Sequence, residues 1–171
     1  NVLLIAPDET LFKQRFAKFK NTEFFKCPTN DTWIRDFGAI DIWENDKLTS
    51  LDFTFNAWGG KFQSDLDNGV NLRLFSEHFK TNLQESSLIL EGGSVEFNGE
   101  GVMLTTTKCL LNANRNAHLS KSELERHLKE LFGLQSIIWL ENGFIKGDDT
   151  DSHIDTLARF ISPNTIAYSI C

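Results

Sequence analysis

Three short stretches place carboxylates, a histidine and a tryptophan where apolar runs end. They are residues 30–36 (NDTWIRD), residues 91–93 (EGG) and residues 153–155 (HID). Carboxylates in fixed positions bind cations through charge-assisted hydrogen bonds, and a histidine transfers protons near neutral pH. A large aromatic side chain between charged residues, such as Trp33, often lines a pocket. The three stretches therefore predict a site for a cationic ligand, provided that the fold brings them together.

Each stretch also has an ordinary structural interpretation. NDTWIRD could be a turn in which Arg35 pairs with a neighbouring aspartate on the surface. Glu91 could be a solvated acid before a Gly-Gly turn, and His153 could be a surface residue beside Asp155. In the functional interpretation, the glycines let a ligand approach the acid, and an extended backbone points His153 and Asp155 to the same side. These residues alone do not decide between the two interpretations.

No metal or cofactor motif accompanies these stretches. The acids around His153 lack the central glycine and final glutamate of a calcium loop, and the EGG stretch is not followed by the Lys and Ser/Thr of a phosphate loop. The two histidines nearest in sequence lie in or before a predicted helix, and the cysteines are far apart without a CxxC pair. The sequence thus predicts no metal ion and no organic cofactor. The residues concerned are Asp148, Asp149, Asp151, Asp155, His118, His127, Cys27, Cys109 and Cys171.

The composition is that of one globular domain with an acidic surface. The 171 residues are 40% hydrophobic and 24% charged, with a net charge of −7. This charge argues against nucleic acid and against an anionic membrane as partners, and no apolar run approaches the ~20 residues that span a bilayer. Reduced cysteines favour the cytoplasm. Because both ends lie in strand-like runs, we expect residues 1–171 to be a single-domain fragment of a longer chain.

The periodicity predicts an α/β (α+β) fold made of a recurring unit of two or three strands and one helix. The units follow each other every ~50–60 residues, without visible sequence identity between them. Ser120 and Glu123 form a capping box that opens one helix, and Gly133 ends it. The predicted strands are 2–6, 22–27, 37–43, 47–56, 87–90, 94–97, 101–107, 136–140 and 165–170, and the predicted helices are 8–20, 68–80 and 120–132.

The order NDTWIRDFGAI, LEGGSVEFNGEGVMLTTTKCLLNANRN and GDDTDSHIDTLARF resembles the agmatine deiminase family. This family includes relatives of bacterial-type peptidylarginine deiminases and belongs to the guanidine-modifying enzymes of the pentein fold. The resemblance covers residues from about 28 to 168 and implies a propeller of ββαβ units with pseudo-fivefold symmetry. A chain of this length would hold about three of the five units, which agrees with the recurring pattern.

The resemblance implies a role for five residues. Asp36 and Asp155 match carboxylates that bind the substrate guanidinium, and Trp33 matches an aromatic that flanks the aliphatic chain of the substrate. Glu91 matches the catalytic acid of the EGG motif, and His153 matches the general acid and base. A guanidinium is always charged and is a poor electrophile, so a thiolate must attack a carbon that paired carboxylates hold in place. A covalent amidino-cysteine intermediate is then hydrolysed to a ureido product.

The sequence departs from the family at the nucleophile. The family's cysteine lies near its C-terminus in a Gly- and His-rich context, which none of Cys27, Cys109 and Cys171 has. We therefore expect the nucleophile to lie outside this chain and the fragment alone to be inactive.

The leading interpretation is an agmatine deiminase that acts in putrescine synthesis, with a homodimer as its expected assembly. The alternatives are a deiminase of peptidylarginine or free arginine, and a non-catalytic module that binds guanidinium. An amine tail requires acids and an α-carboxylate requires Arg or Lys. The acids at 148–151 favour the amine, and Arg35 and Arg115 are interpreted as structural ion pairs.

Overall fold

A computed structural model describes residues 1–169 of the chain, without the side chains of Glu9 and Leu11. Ten strands and six short helices alternate along the described residues, so the α/β expectation is confirmed. No helix among these residues has both the length and the apolar character needed to cross a membrane. The strands are β1 (Val2–Ala6), β2 (Thr22–Lys26), β3 (Ile40–Glu44), β4 (Lys47–Thr54), β5 (Leu83–Ile89), β6 (Val95–Phe97), β7 (Val102–Thr106), β8 (Ser136–Leu140), β9 (Ala158–Ser162) and β10 (Thr165–Tyr168). The helices are α1 (Glu9–Phe16), α2 (Ile34–Phe37), α3 (Ala57–Gly60), α4 (Val70–Arg73), α5 (Thr107–Leu110) and α6 (Lys121–Phe132).

Two three-stranded sheets share one topology. In each, an antiparallel hairpin (β3–β4 or β6–β7) is followed by helix and then by a third strand that pairs parallel with the second (β5 or β8). This is the ββαβ unit that the sequence pattern predicts. The strands at the two ends form simpler pairs: β1 and β2 are parallel, and β9 and β10 are antiparallel. The last predicted strand residue, Ile170, lies outside the described residues, as does Cys171.

The hairpins β3–β4 and β6–β7 turn in different ways. Asn45 and Asp46 both have left-handed backbones (φ 49° and 61°), as a two-residue type I′ turn requires. The Asn98-Gly99 pair also favours a type I′ turn, but there the structure differs. The loop is longer, because the Asn98 side chain accepts hydrogen bonds from the backbone N–H groups of Glu100 and Val102 and takes the place of the missing turn.

Two helices illustrate how local signals set the limits of an element. Helix α6 has the predicted capping box at Ser120 and Glu123, and Gly133 ends it in a left-handed conformation. Its Leu124 and Leu128 pack against the β3–β4–β5 and β6–β7–β8 sheets in the largest core cluster. The predicted helix 68–80 is instead a 3₁₀ turn, helix α4 and a π-helical segment that ends at left-handed Lys80. The prediction of a helix over 8–20 was too long, because α1 ends at Phe16.

Candidate active site

The NDTWIRD stretch is a loop that leads into helix α2. Its start is fixed by a reciprocal pair: Asp67 Oδ1 accepts hydrogen bonds from the backbone of Asn30 and Asp31, and Asn30 Oδ1 accepts one from the backbone of Leu66. Asp67 is fully buried, so this contact is part of the protein interior. The stretch is therefore not a free surface turn, and Asp36, its last residue, has a defined position in α2.

Asp36 is buried and receives a donor at each carboxylate oxygen. The indole Nε1–H of Trp58 donates to Oδ2 (2.9 Å), and the backbone N–H of Gly93 donates to Oδ1 (2.9 Å). His153 Nδ1 lies 3.5 Å from the same Oδ1. Burial raises the pKa of the Asp36 carboxyl, and the two donors counteract part of that rise. A cation beside Asp36 would compensate further for the burial of its charge.

Trp58 reaches Asp36 from a backbone that few residues of its size adopt. Residues 56–60, called the strap here, follow β4 and contain four consecutive left-handed residues, with φ of 52°, 55°, 91° and 78°. Asn56 stabilises the strap: its Oδ1 accepts from Gly59 N, and its Nδ2 donates to the carbonyl of Asn114. Left-handed non-glycine residues cost roughly 1–3 kcal/mol each and persist only where the surroundings enforce them. The neighbouring contacts thus hold the Trp58 indole in place.

Glu91 stands two residues beyond the end of β5 and is fully buried. Arg115 binds it through three contacts, from Nε to both carboxylate oxygens (3.0 and 2.9 Å) and from Nη2 to Oε1 (2.9 Å). The adjacent Asn116 positions the strand end, because its amide both accepts from Ile89 N and donates to Ile89 O. Arg115 also binds Asp151, so the interpretation of Arg115 as a structural ion pair agrees with the structure.

Gly93 lies at the point where the three stretches meet. A Cβ atom at Gly93 would lie 2.6 Å from Asp36 Oδ1, 2.6 Å from His153 Nδ1 and 2.9 Å from Asp155 Oδ2. Gly92 lies against the backbone of Arg35, where a Cβ would come 2.1 Å from the carbonyl oxygen. The two glycines therefore allow the 91–93 segment to approach α2 and the His153 loop. The close approach that the sequence suggested for them is present.

His153 is presented by a tightly bonded loop. The Asp148 carboxylate accepts hydrogen bonds from the backbone N–H groups of Thr150 and Ser152, and Asp151 and Ser152 have left-handed backbones. His153 is only 2% exposed, and its Nε2 has no hydrogen-bond partner among the described residues. Burial lowers the pKa of the imidazole, while the carboxylates of Glu91 and Asp155 act in the opposite direction.

Asp155 lies at the edge of this cluster and is more accessible than Asp36. Burial raises the pKa of its carboxyl, and the charge of Asp36 raises it further, whereas His153 lowers it. Arg35 Nε lies 4.0 Å from Asp155 Oδ2. Arg35 therefore faces Asp155, rather than forming the pair with Asp31 or Asp36 that the sequence suggested. Two carboxylates and one imidazole thus surround Gly93.

A cavity of about 400 Å³ opens over these groups. Trp33 stands at its edge with 61% of its surface exposed, and Trp58 and Phe62 form an edge-to-face pair in its wall (centroids 5.8 Å apart). Glu91 is near His153 but is not in the lining. The lining residues are Asp31, Trp33, Arg35, Asp36, Trp58, Phe62, Asp149, Thr150, His153, Asp155 and Thr156.

One buried cluster within the described residues has donor atoms as close together as those of a metal site. Donor atoms of Glu91, Cys109 and His153 lie within 4.8 Å of one another. The donors do not suit a metal ion, however, because Arg115 occupies both oxygens of Glu91 and burial raises the pKa of the Cys109 thiol. The same burial separates Cys109 from the cavity, so its thiol is not placed to attack a ligand there.

Several cavity residues were not predicted from the sequence. Trp58, Phe62 and Thr156 lie outside the predicted strands and helices, and Asp31 was considered only as an ion-pair partner. The signal for Trp58 was present in the stretch NAWGG, which repeats the arrangement of a functional side chain followed by two glycines at a strand end. The three acids at 148–151 have different environments. Asp149 lines the cavity, whereas Asp148 accepts a hydrogen bond from the backbone of Ser152 and Asp151 pairs with Arg115.

Comparison with known proteins identifies relatives for the whole described fold. The family model of Porphyromonas-type peptidyl-arginine deiminase matches residues 1–171. The agmatine deiminase of Pseudomonas aeruginosa is 36% identical over 153 residues, which are 85% of this chain and 41% of that protein. The chain spans about half the length of the curated relatives it matches.

Solved structures of high similarity agree with the fold. A Cys-to-Ser variant of the C. jejuni agmatine deiminase with substrate bound matches with a TM-score of 0.95 and 68% identity, over 98% of this chain and 50% of that one. The agmatine deiminase of Enterococcus faecalis matches with a TM-score of 0.86 and 31% identity, over 97% of this chain and 47% of that one. On the strength of the family model, which matches from the first residue to the last, the chain belongs to the Porphyromonas-type peptidyl-arginine deiminase family.

Proposed function

We propose that the protein is an agmatine deiminase, which converts agmatine and water to N-carbamoylputrescine and ammonia. The observation that carries this proposal is the meeting of Asp36, His153 and Asp155 around Gly93, under a cavity with aromatic walls. Two carboxylates there can hold a planar cation by paired hydrogen bonds, and the imidazole lies within reach of the same space. The relatives that carry the name agmatine deiminase support the choice of reaction.

In the proposed mechanism, Asp36 and Asp155 bind the guanidinium and leave its central carbon open to attack. Burial lowers the pKa of His153 and so favours the neutral imidazole, which can accept the proton of an attacking thiol. The thiolate adds to the guanidinium carbon, and the imidazolium then gives its proton to the departing ammonia. Water, deprotonated by His153, adds to the amidino-cysteine, and the thiolate leaves as the ureido product forms.

Glu91 has a supporting role in this proposal. It is buried beside His153 and lies outside the cavity lining, so the match to a catalytic acid is better explained by its charge than by contact with substrate. Its carboxylate raises the pKa of His153 and so favours the imidazolium that forms during the reaction. Arg115 keeps Glu91 in place through the bidentate contact.

The attacking cysteine is proposed to lie outside residues 1–171. Cys27 and Cys109 are both buried, and burial raises the pKa of each thiol, the opposite of what a nucleophile needs. Cys171 lies outside the described residues. The substrate-bound C. jejuni structure carries a Cys-to-Ser change, which agrees with a cysteine-dependent reaction in that relative. The inactivity of the isolated fragment follows from this proposal and remains a prediction.

The charges around the cavity favour agmatine over arginine. Four carboxylates line it, and among the described lining residues Arg35, which faces Asp155, is the one permanently cationic side chain. Asp31 and Asp149 are the two acids not engaged around Gly93, so they are available for the distal amine of agmatine. An α-carboxylate in the same place would meet like charge. This arrangement argues against the arginine and peptidylarginine alternatives.

Further features of the whole protein stay predictions. The two ββαβ units are compatible with a five-unit propeller, and a homodimer, a cytoplasmic location and a place in putrescine synthesis are proposed with the reaction itself. A non-catalytic guanidinium-binding module is the remaining alternative, and the downstream sequence would distinguish it by the presence or absence of a Gly- and His-flanked cysteine.

The experiment is a comparison of kcat/KM for agmatine, arginine and a peptidylarginine, measured with the full-length protein by ureido product and ammonia release. We expect a clear preference for agmatine, and Asp149→Asn should raise KM for agmatine more than for butylguanidine, which lacks the distal amine. Equal kcat/KM values for agmatine and arginine would contradict the assignment. Binding of agmatine without ammonia release would favour the binding module.

A further inference from the structure

Trp58 is the one tryptophan among the described cavity residues whose indole N–H binds a carboxylate of the cluster around Gly93. Trp33 lines the same cavity and is mostly exposed, so its indole faces a different environment. Trp58 is 5% exposed and is held between two rings, with centroids 5.2 Å from Phe55 and 5.8 Å from Phe62, both nearly perpendicular to it. Its orientation is therefore determined by packing as well as by the hydrogen bond.

The two donors to Asp36 act on different oxygens and come from different parts of the chain. Trp58 follows β4 and binds Oδ2, whereas Gly93 lies between β5 and β6 and binds Oδ1. With one donor at each oxygen, the carboxylate has a defined plane, and each oxygen retains acceptor capacity for a further donor. A planar, bidentate partner such as a guanidinium requires such a preset plane.

The strap that carries Trp58 is connected to the support of Glu91. Asn56 Nδ2 donates to the carbonyl of Asn114, and the Asn114 side chain binds both Asp151 and Arg115. A Cβ at Gly59 would lie 2.1 Å from Asn114 Nδ2, so the strap packs directly on this residue. A buried tryptophan that only filled space would have no need of this left-handed backbone, which directs the N–H to Asp36.

From these contacts we propose that Trp58 is a positioning residue for the proposed deimination, one that acts through Asp36 by fixing its carboxylate as an oriented anion. The inference rests on the proposed function for its consequence in catalysis. Its structural part, the effect of the Trp58 hydrogen bond on the Asp36 carboxylate, can be measured without turnover.

Other charged groups near Asp36 also affect its ionisation and must stay constant in a test. They come from α2, from the loop after α5 and from the loop after β8. His153 lies 3.5 Å away, and the charges of Arg35 and Arg115 both favour the carboxylate. The carboxylates of Asp155 and Asp36 repel each other as like charges. A change limited to the indole N–H leaves all four groups in place.

The experiment replaces Trp58 in the full-length protein with β-(3-benzothienyl)alanine, which has sulfur in place of the indole N–H and nearly the same shape. The same replacement at Trp33 is the matched control, because that indole lines the cavity without binding Asp36. The pKa of Asp36 is followed by ¹³C NMR of labelled aspartate, with its signal identified by its loss in Asp36→Asn. Trp58→Phe is a second variant, and circular dichroism establishes that each variant is folded.

Loss of the N–H should raise the pKa of Asp36 by about one to two pH units, the value of a hydrogen bond to a charged group. The acid limb of kcat/KM for agmatine should move upward by the same amount, while the Trp33 replacement leaves the pKa of Asp36 unchanged. An unchanged pKa in the Trp58 variants, or an equal rise in the Trp33 control, would overturn the inference. A wild-type protein without activity on agmatine would overturn the proposed function instead, and the NMR result would still decide the role of Trp58.

Discussion

Replacing Gly93 with alanine adds one methyl group at the place where three polar side chains meet. The Cβ would lie 2.6 Å from Asp36 Oδ1, 2.6 Å from His153 Nδ1 and 2.9 Å from Asp155 Oδ2. Ordinary contacts begin near 3.4 Å, so the three groups fall short by about 0.5–0.8 Å. Since the backbone of Gly93 is not left-handed, alanine adds no strain there beyond this crowding.

The groups must therefore move apart, and misplacement of about 1 Å can cost on the order of 10²-fold in rate. We expect kcat/KM for agmatine to fall by at least ~30-fold in the full-length Gly93→Ala variant. Overpacking should lower the free energy of unfolding by only about 1–3 kcal/mol. Turnover is measured by ammonia release, and stability by denaturant unfolding.

Gly69→Ala is the matched control. A Cβ at Gly69 meets nothing within 4 Å, and its φ of −92° is open to alanine, so we expect unchanged activity and stability. If Gly93→Ala retained activity within threefold of the wild type, the guanidinium would not be bound in the space around Gly93. The assignment of Asp36, His153 and Asp155 as one site would then be wrong.

Three further substitutions test other parts of the site. His153→Ala should lower turnover by at least ~100-fold with retained agmatine binding and a nearly unchanged thermal midpoint; activity within a few-fold of wild type would remove His153 from the mechanism. Arg115→Met should cost about 3–5 kcal/mol in denaturant unfolding by leaving Glu91 buried without its partner, and the added change Glu91→Met should recover part of this loss. Asp155→Asn should abolish most turnover and stabilise the empty protein at neutral pH. The pKa of the Asp155 carboxyl is higher in the folded than in the unfolded protein. The wild-type protein therefore loses stability as pH rises from about 4 through the folded pKa. Denaturant unfolding measured from about pH 4 to 7 should show that this loss is smaller in the variant.

The sequence predicted the parts of the site that follow strands and carry distinctive side chains. Glu91 and His153 stand directly before short 3₁₀ turns, Asp36 lies in the short helix α2, and the capping box of α6 lies at the predicted residues. The repeating unit was also visible, because hairpin and helix periodicities are local. The position of Trp58 was not predictable in this way, since left-handed backbone at Ala57 and Trp58 results from tertiary contacts and runs against residue preference.

Pairing between distant segments was likewise beyond a single sequence. The parallel pairing of β4 with β5 depends on how the intervening helix packs, and the Arg115–Glu91 contact joins residues 24 positions apart. Arg35 was predicted to pair with a neighbour in sequence, whereas it lies opposite Asp155 because α2 packs against the 3₁₀ turn at Gly92–Ser94. These contacts depend on the association of the two sheets, which local patterns do not encode.

The topology links local opening of the two sheets to ligand binding. Asp36 precedes the β3–β4–β5 sheet, Gly93 lies between the two sheets, and His153 follows the β6–β7–β8 sheet, so both sheets must be docked before the three groups can meet. A ligand that contacts all three binds only the docked form, and its binding free energy therefore opposes opening of either sheet. Amide hydrogens in β4 and β7, strands that do not line the cavity, would then exchange more slowly in the bound protein.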